Sequence, residues 1–186
     1  MVVQQPIIYK YSDIESFNTL YLDRDGVLNR AVIRQGEISS PRDIIEFNVS
    51  PDISALAKNP LINDWNLVLV TNQPDLSRNL IDLDLIESIN EKILSFLPIN
   101  MAYICPHLAK HKCRCRKPNT GMIDEFRLSY PEASRKELFI GDRSTDLECA
   151  KALDIPFLLR QRHYNEHLFD LSDRVIENLG IPDILD

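Results

Sequence analysis

The sequence predicts an α/β fold: a mostly parallel β-sheet with helices on both faces. Three observations predict it. Short apolar runs rich in β-forming residues recur along the chain, and stretches with helical apolar spacing separate them. The separations are also long enough for parallel crossovers, which need a dozen or so residues.

Taken in order, the strands are expected at residues 19–22 (TLYL), 67–70 (LVLV), 101–104 (MAYI), 138–140 (LFI) and 157–159 (FLL). Between them, PDISALAKN from Pro51 reads as a helix. A longer one opens at Asp82 and carries Ile86, Ile89, Ile93 and Phe96 on one face. Two more are expected at 122–130, with Ile123, Phe126 and Tyr130 aligned, and at 144–153. The first 16 or so residues read as an added strand or a loose arm, and the last 20 are ambiguous. Neither repeat nor linker composition divides the 186 residues, so one domain spanning 1–186 is expected.

A net charge of -7 argues against a protein that coats nucleic acid, because binding to phosphate backbones rests on basic surface. No apolar run approaches the ~20 residues of a membrane span, and the N-terminus lacks a signal-peptide pattern. A cytoplasmic location is expected. Three of the four cysteines fall within residues 105–115, and a reducing compartment favours metal binding over disulfides for them.

Chemistry concentrates at strand ends. Asp23 and Asp25 follow TLYL and precede Gly26, where ligands of open α/β sheets bind. With 17 aspartates in the chain such pairs also arise by chance. Asp82 and Asp84 are the control, since their place at a helix start is explained by capping. ELFIGDRSTD repeats the strand-end layout with Asp142 and Asp146. Carboxylates gathered at one crevice repel unless a cation neutralises them, and oxygen ligands suit Mg²⁺. Thr71 and Asn72 end a third strand, and a helix start just beyond them would offer N–H groups to an anion.

The segment CPHLAKHKCRCRKPNTGM holds Cys105, His107, Cys113 and Cys115, a Cys₃His set of the closed structural zinc type, with His111 as a substitute for His107. It is also a basic island: Lys110, Lys112, Arg114, Arg116 and Lys117 lie within eight residues. A clamped loop would hold Arg116 and Lys117 beside the acids, as a phosphoryl group requires. Cys149, on a predicted helix, reads as core.

Taken together, DRDGVLN, Thr71 of TNQ, Lys117 of CRKP and GDRSTD resemble the four motifs of the haloacid dehalogenase superfamily, in order, across residues 19–160. The zinc loop at 105–117 is similar to that of the group containing histidinol-phosphate and D-glycero-D-manno-heptose-1,7-bisphosphate phosphatases. The resemblance implies a Rossmann-like, capless fold and a Mg²⁺-dependent hydrolase of small phosphorylated metabolites. On it, Asp23 is the nucleophile and Asp25 the acid–base, with a pKa that proximity to Asp23 pushes up. Mg²⁺ is held by Asp23, the Asp25 carbonyl and Asp142, supported by Asp146. Thr71 and Lys117 grip the phosphoryl oxygens, and Asn72 and Arg116 meet the substrate. Asn29, Arg78 and Gly121-Met122 look like the heptose branch, whereas the five-residue spacing from His107 to Cys113 looks like the histidinol branch. A monomer is expected. A phosphoacceptor signalling domain and a zinc-loop binding module are the non-enzyme alternatives; Asp25 counts against the first and the other acid motifs against the second.

Overall fold

The computed structural model describes residues 5–185. A seven-stranded sheet forms from β1 (Ile7–Lys10), β2 (Asn18–Leu22), β5 (Trp65–Asn72), β6 (Met101–Cys105), β7 (Lys136–Gly141), β8 (Phe157–Arg160) and β9 (Arg174–Ile176). Its order is β1-β6-β5-β2-β7-β8-β9, and every pairing is parallel except β1 with β6. β2 is therefore the central strand, flanked by β5 and β7. A separate two-stranded hairpin, β3 (Val32–Arg34) and β4 (Glu37–Ser39), follows the first acidic motif.

Alternation within the strands splits the core in two, because successive side chains point to opposite faces. Leu20, Leu22, Leu67 and Leu69 pack with α1 (Ile53–Ala57) and α2 (Leu83–Leu94) through Ile53, Leu56, Ile89 and Ile93. Tyr21, Val68 and Val70 pack on the other face with α3 (Gly121–Ser129) and α4 (Ser144–Ala152), through Ile123, Phe126 and Leu147. Helices thus cover both faces, as expected.

Boundaries follow local chemistry. The Asp82 side chain accepts from Leu85 N–H at 2.9 Å and caps α2, so the control pair has its structural explanation. Phe96 lies beyond that helix and is largely exposed. Cys149 is buried core on α4.

Two segments that the sequence left open take defined structure, and one expectation fails. The N-terminal arm is a strand over Ile7–Lys10, antiparallel to β6; residues 1–4 lie outside the described residues. The ambiguous C-terminal stretch supplies β9 and a 3₁₀ segment, Glu166–Leu171, with residue 186 outside the described part. Residues 74–80 form turns, and α2 begins only at Leu83, so no helix start lies directly beyond Thr71 and Asn72. Pro74 has no N–H, and the Asp75 carbonyl instead accepts from Arg78 and Leu80 N–H.

Candidate active site

Asp23 follows β2 at the centre of the sheet, and its N–H still donates to Ile140 O at 3.0 Å. The chain then coils tightly, with Leu28 and Asn29 N–H both donating to Arg24 O at 2.9 and 3.1 Å. Gly26 permits this coil with a φ of +93°, in the left-handed region that favours glycine. A Cβ at this position would strike the Asp142 carboxylate and come within 2.7 Å of Tyr164 Oη. The missing side chain therefore lets an acid from the end of β7 close on the acids from β2.

Lys117 ties the acids together. Its Nζ donates at 2.7 Å to Asp23 Oδ1 and Val70 O and forms an ion pair of the same length with Asp146 Oδ1. The ammonium is buried, with two hydrogen bonds and one ion pair around it. Burial pushes its pKa down, but Asp146 and Asp23 more than offset this and raise it. Burial also pushes Asp23 up to about 6; Lys117 opposes that push and Asp146 adds to it. Asp142 is raised well above the carboxylate range, first by burial and then by Asp23 and Asp146.

Oxygens of Asp23, Asp142 and Asp146 lie within 4.8 Å of one another, close enough to share a metal ion. Asp142 Oδ1 is buried without a hydrogen-bond partner among the described residues, while Oδ2 accepts from Tyr164 Oη. Crowded carboxylate oxygens, one of them lacking a donor, are the donor set of a hard divalent cation. Asp146 also accepts from the N–H groups of Asp142 and Arg143, at 3.2 and 3.0 Å, so it braces the start of α4 as well.

Asp25 departs from expectation. Its carboxylate accepts from Asn29 Nδ2 at 2.9 Å, Ser40 Oγ at 2.8 Å and Gln73 Nε2 at 2.7 Å, and it pairs with buried Arg24 at 3.1 Å. Burial pushes the pKa up, but Arg24 and these three donors outweigh it and leave the pKa below the ordinary value. The expected upward shift from Asp23 is therefore overridden by hydrogen bonding to the charged form.

Asp23, Asp25 and Asp146 open onto a cavity of about 240 Å³ that Thr71, Asn72, Arg116 and Lys117 also line. Asn72 is partly engaged within the chain: its Oδ1 accepts from Lys117 N–H at 3.1 Å, and its Nδ2 donates one hydrogen to Lys117 O at 3.0 Å. It clasps the lysine loop to the end of β5. Thr71 Oγ1 accepts from Gln73 Nε2 at 3.0 Å. Of the basic island, Lys110, Lys112 and Arg114 face solvent, and only Arg116 and Lys117 turn inward.

The loop itself closes on its sulfur atoms. Cys105, His107, Cys113 and Cys115 are buried, with ligand atoms mutually within 4.8 Å. Sulfur–sulfur separations of 3.3 to 3.7 Å, and 3.2 and 3.5 Å from His107 Nδ1 to Cys115 and Cys105, approach a tetrahedron's edges. Zn–S bonds of ~2.3 Å imply S–S edges of roughly 3.8 Å, so the donor set fits zinc. His107, rather than His111, joins the thiols; His111 Nδ1 accepts from Leu108 N–H at 3.2 Å. Arg116 donates to His107 O at 3.1 Å, which carries the loop's order into the cavity.

Sequence reasoning passed over Arg24, Ser40, Gln73 and Tyr164. Arg24 and Gln73 lie inside the motifs DRDG and TNQ, where their spacing was a usable signal. Ser40 and Tyr164 sit in irregular segments, and nothing in the sequence pattern marks them.

Central strand, strand-end acids and intervening lysine define a phosphatase of the haloacid dehalogenase type, and solved structures of that class share the fold. D,D-heptose 1,7-bisphosphate phosphatase from B. bronchiseptica, solved with magnesium and phosphate, matches with a TM-score of 0.73 and 27% identity, over 88% of this chain and 94% of that one. The family described as polynucleotide kinase 3 phosphatase matches residues 28–174, and the chain belongs to it. A probable D-glycero-D-manno-heptose-1,7-bisphosphate 7-phosphatase of Thermoplasma acidophilum is 27% identical over 157 residues, 81% of this chain and 94% of the relative. The histidine biosynthesis bifunctional protein HisB of Buchnera aphidicola is 34% identical over 145 residues, 75% of this chain and 40% of that longer one.

Proposed function

We propose that this phosphatase removes the 7-phosphate of D-glycero-D-manno-heptose 1,7-bisphosphate through an aspartyl-phosphate on Asp23. The observation that carries the chemistry is Lys117 bonded to both Asp23 and Asp146 beside the unpartnered Asp142 oxygen. The names of the relatives support the sugar substrate.

Asp23 attacks phosphorus and the bond to the sugar oxygen breaks. The departing oxygen takes its proton from Asp25. Water then attacks phosphorus, Asp25 accepts the water's proton, and the bond to Asp23 breaks. Lys117, Thr71 and Arg116 hold phosphoryl oxygens while charge shifts between them. Asp23, Asp142 and the Asp25 carbonyl would hold Mg²⁺, with Asp146 in support. The cation supplies charge neutralisation and orientation of the phosphoryl group. Cys105, His107, Cys113 and Cys115 would hold a structural zinc.

On the same proposal the chain is one domain, core 19–160, acting as a monomer in cytoplasmic carbohydrate metabolism. That none of the four cysteines is joined in a disulfide supports that compartment. Likeness to HisB favours histidinol phosphate as the second substrate reading. Steady-state kinetics on heptose bisphosphate, histidinol phosphate and an aryl phosphate test the proposal. A higher kcat/KM on heptose bisphosphate is expected; preference for histidinol phosphate would replace the substrate, and no turnover with any divalent metal would overturn the enzyme.

A further inference from the structure

A second concentration of positive charge lies outside the active site. Arg30, Ser50, Arg160, Arg162, His163 and Tyr164 line a separate cavity of about 340 Å³. Arg160 ends β8 and is only 4% exposed. One of its terminal nitrogens donates to Asp52 at 2.6 Å, but Nε and Nη1 have no hydrogen-bond partner among the described residues. Buried guanidinium N–H groups left in this state are costly, and an anionic acceptor in the cavity would remove the cost. Arg162 uses two of its five N–H donors on backbone carbonyls, Gly26 O at 2.8 Å and Gln161 O at 3.1 Å. Arg30 is exposed and forms no ion pair among the described residues. Three guanidinium groups thus face one paired carboxylate, an imbalance suited to a dianion.

We propose that this cavity is a second anion site, one that takes the phosphate group of a small metabolite or free phosphate. Planar guanidinium forks approaching from separate strands and loops match a tetrahedral oxyanion better than a single carboxylate plane. Two contacts connect the site to the catalytic acids: Arg162 holds the Gly26 carbonyl, and Tyr164 Oη donates to Asp142. Occupancy would steady the coil on which Asp25 sits. The inference does not rest on the substrate proposed above, and its test reads binding rather than turnover.

Calorimetric titration of the full chain with inorganic phosphate in magnesium-free buffer is the experiment. Uncompensated carboxylates then disfavour anions in the Asp23 cavity. One phosphate per chain is expected, with Arg30→Glu weakening it at least about tenfold, the loss of one charge-assisted contact. Arg116→Ala should leave that binding unchanged. Arg30 is exposed, so its variant should fold, which circular dichroism checks. Tighter binding of glycerol 3-phosphate than of phosphate would assign the site to a phosphorylated metabolite, and the reverse to free phosphate. Absence of binding, its loss in Arg116→Ala but not in Arg30→Glu, or tighter binding of malonate would overturn the proposal.

Discussion

The division of labour between Asp23 and Asp25 rests on what each side chain touches. Asp23 is buried against other acids and one lysine, whereas Asp25 is surrounded by donors. A group held ionised rarely carries the proton an acid must give, so the step that protonates the leaving oxygen is the demanding one. Asp25→Asn should therefore reduce turnover of a sugar phosphate by roughly 10²- to 10⁴-fold. An aryl phosphate, whose leaving group needs no proton, should lose less; equal losses on both substrates would remove Asp25 from the acid role. Gly26 gives a second prediction at this scale. Gly26→Ala adds a methyl where the Asp142 carboxylate sits and forces an alanine to φ +93°, at a strain of about 1–3 kcal/mol. The variant should melt several degrees lower and lose activity, both measurable on one preparation. Of these residues, the acids and the glycine were legible in DRDG and GDRSTD. The direction of the Asp25 shift was not fully so, because Ser40 reaches it from an irregular segment that no sequence pattern marks.

Elements meet at the site through a few cross-ties. The lysine loop is fixed to β5 by the Asn72 clasp and to its own sulfur cluster by Arg116. Cys115→Ser should lower metal content from about one zinc per chain and reduce activity although no catalytic group changes; metal analysis with kinetics reads both, and full activity in a zinc-free variant would sever the loop from catalysis. A second tie joins the segment after the hairpin to the turns after β5: Asp75 pairs with Arg42 at 2.7 Å and with Arg78 at 2.6 Å. Burial pushes Asp75 up, yet hydrogen bonds from Arg42 and Arg78 leave its pKa below the ordinary carboxylate value. A depressed folded pKa means that the stabilisation is present above the unfolded value and lost as pH falls through the folded one. Asp75→Asn should thus lower Tm at neutral pH, with the gap from wild type closing in acid; a gap independent of pH would refute the ion-pair account. The strands and helices that carry these ties were readable from apolar period alone. The β3–β4 hairpin was not, since three-residue strands are too short to show a period.

At the scale of the molecule, alternation of strand and helix sufficed for the parallel sheet, because buried parallel strands are continuous apolar runs. It left β1, a half-exposed edge strand, open between a strand and a loose arm, and it did not mark β9, whose three residues pair with β8 alone among the described residues. Strand order makes one demand that no local pattern reveals: β2 lies between β5 and β7 and packs against both core clusters. A chain ended before Lys136 would leave β2 with one neighbour, and it should show no cooperative thermal transition; a sharp transition would mean that the N-terminal part folds alone. During synthesis, then, the proposed nucleophile is made early and without its partners. Asp23 emerges long before Lys117, its lysine partner, and longer still before β7, the second neighbour of its own strand. The apolar strand TLYL must wait beside the ribosome for more than half the chain to appear, a period in which nothing in its own sequence can cover it. A cell making this enzyme therefore leaves its central strand short of one neighbour for much of translation, and chaperone demand should track the time taken to translate residues 23 to 141.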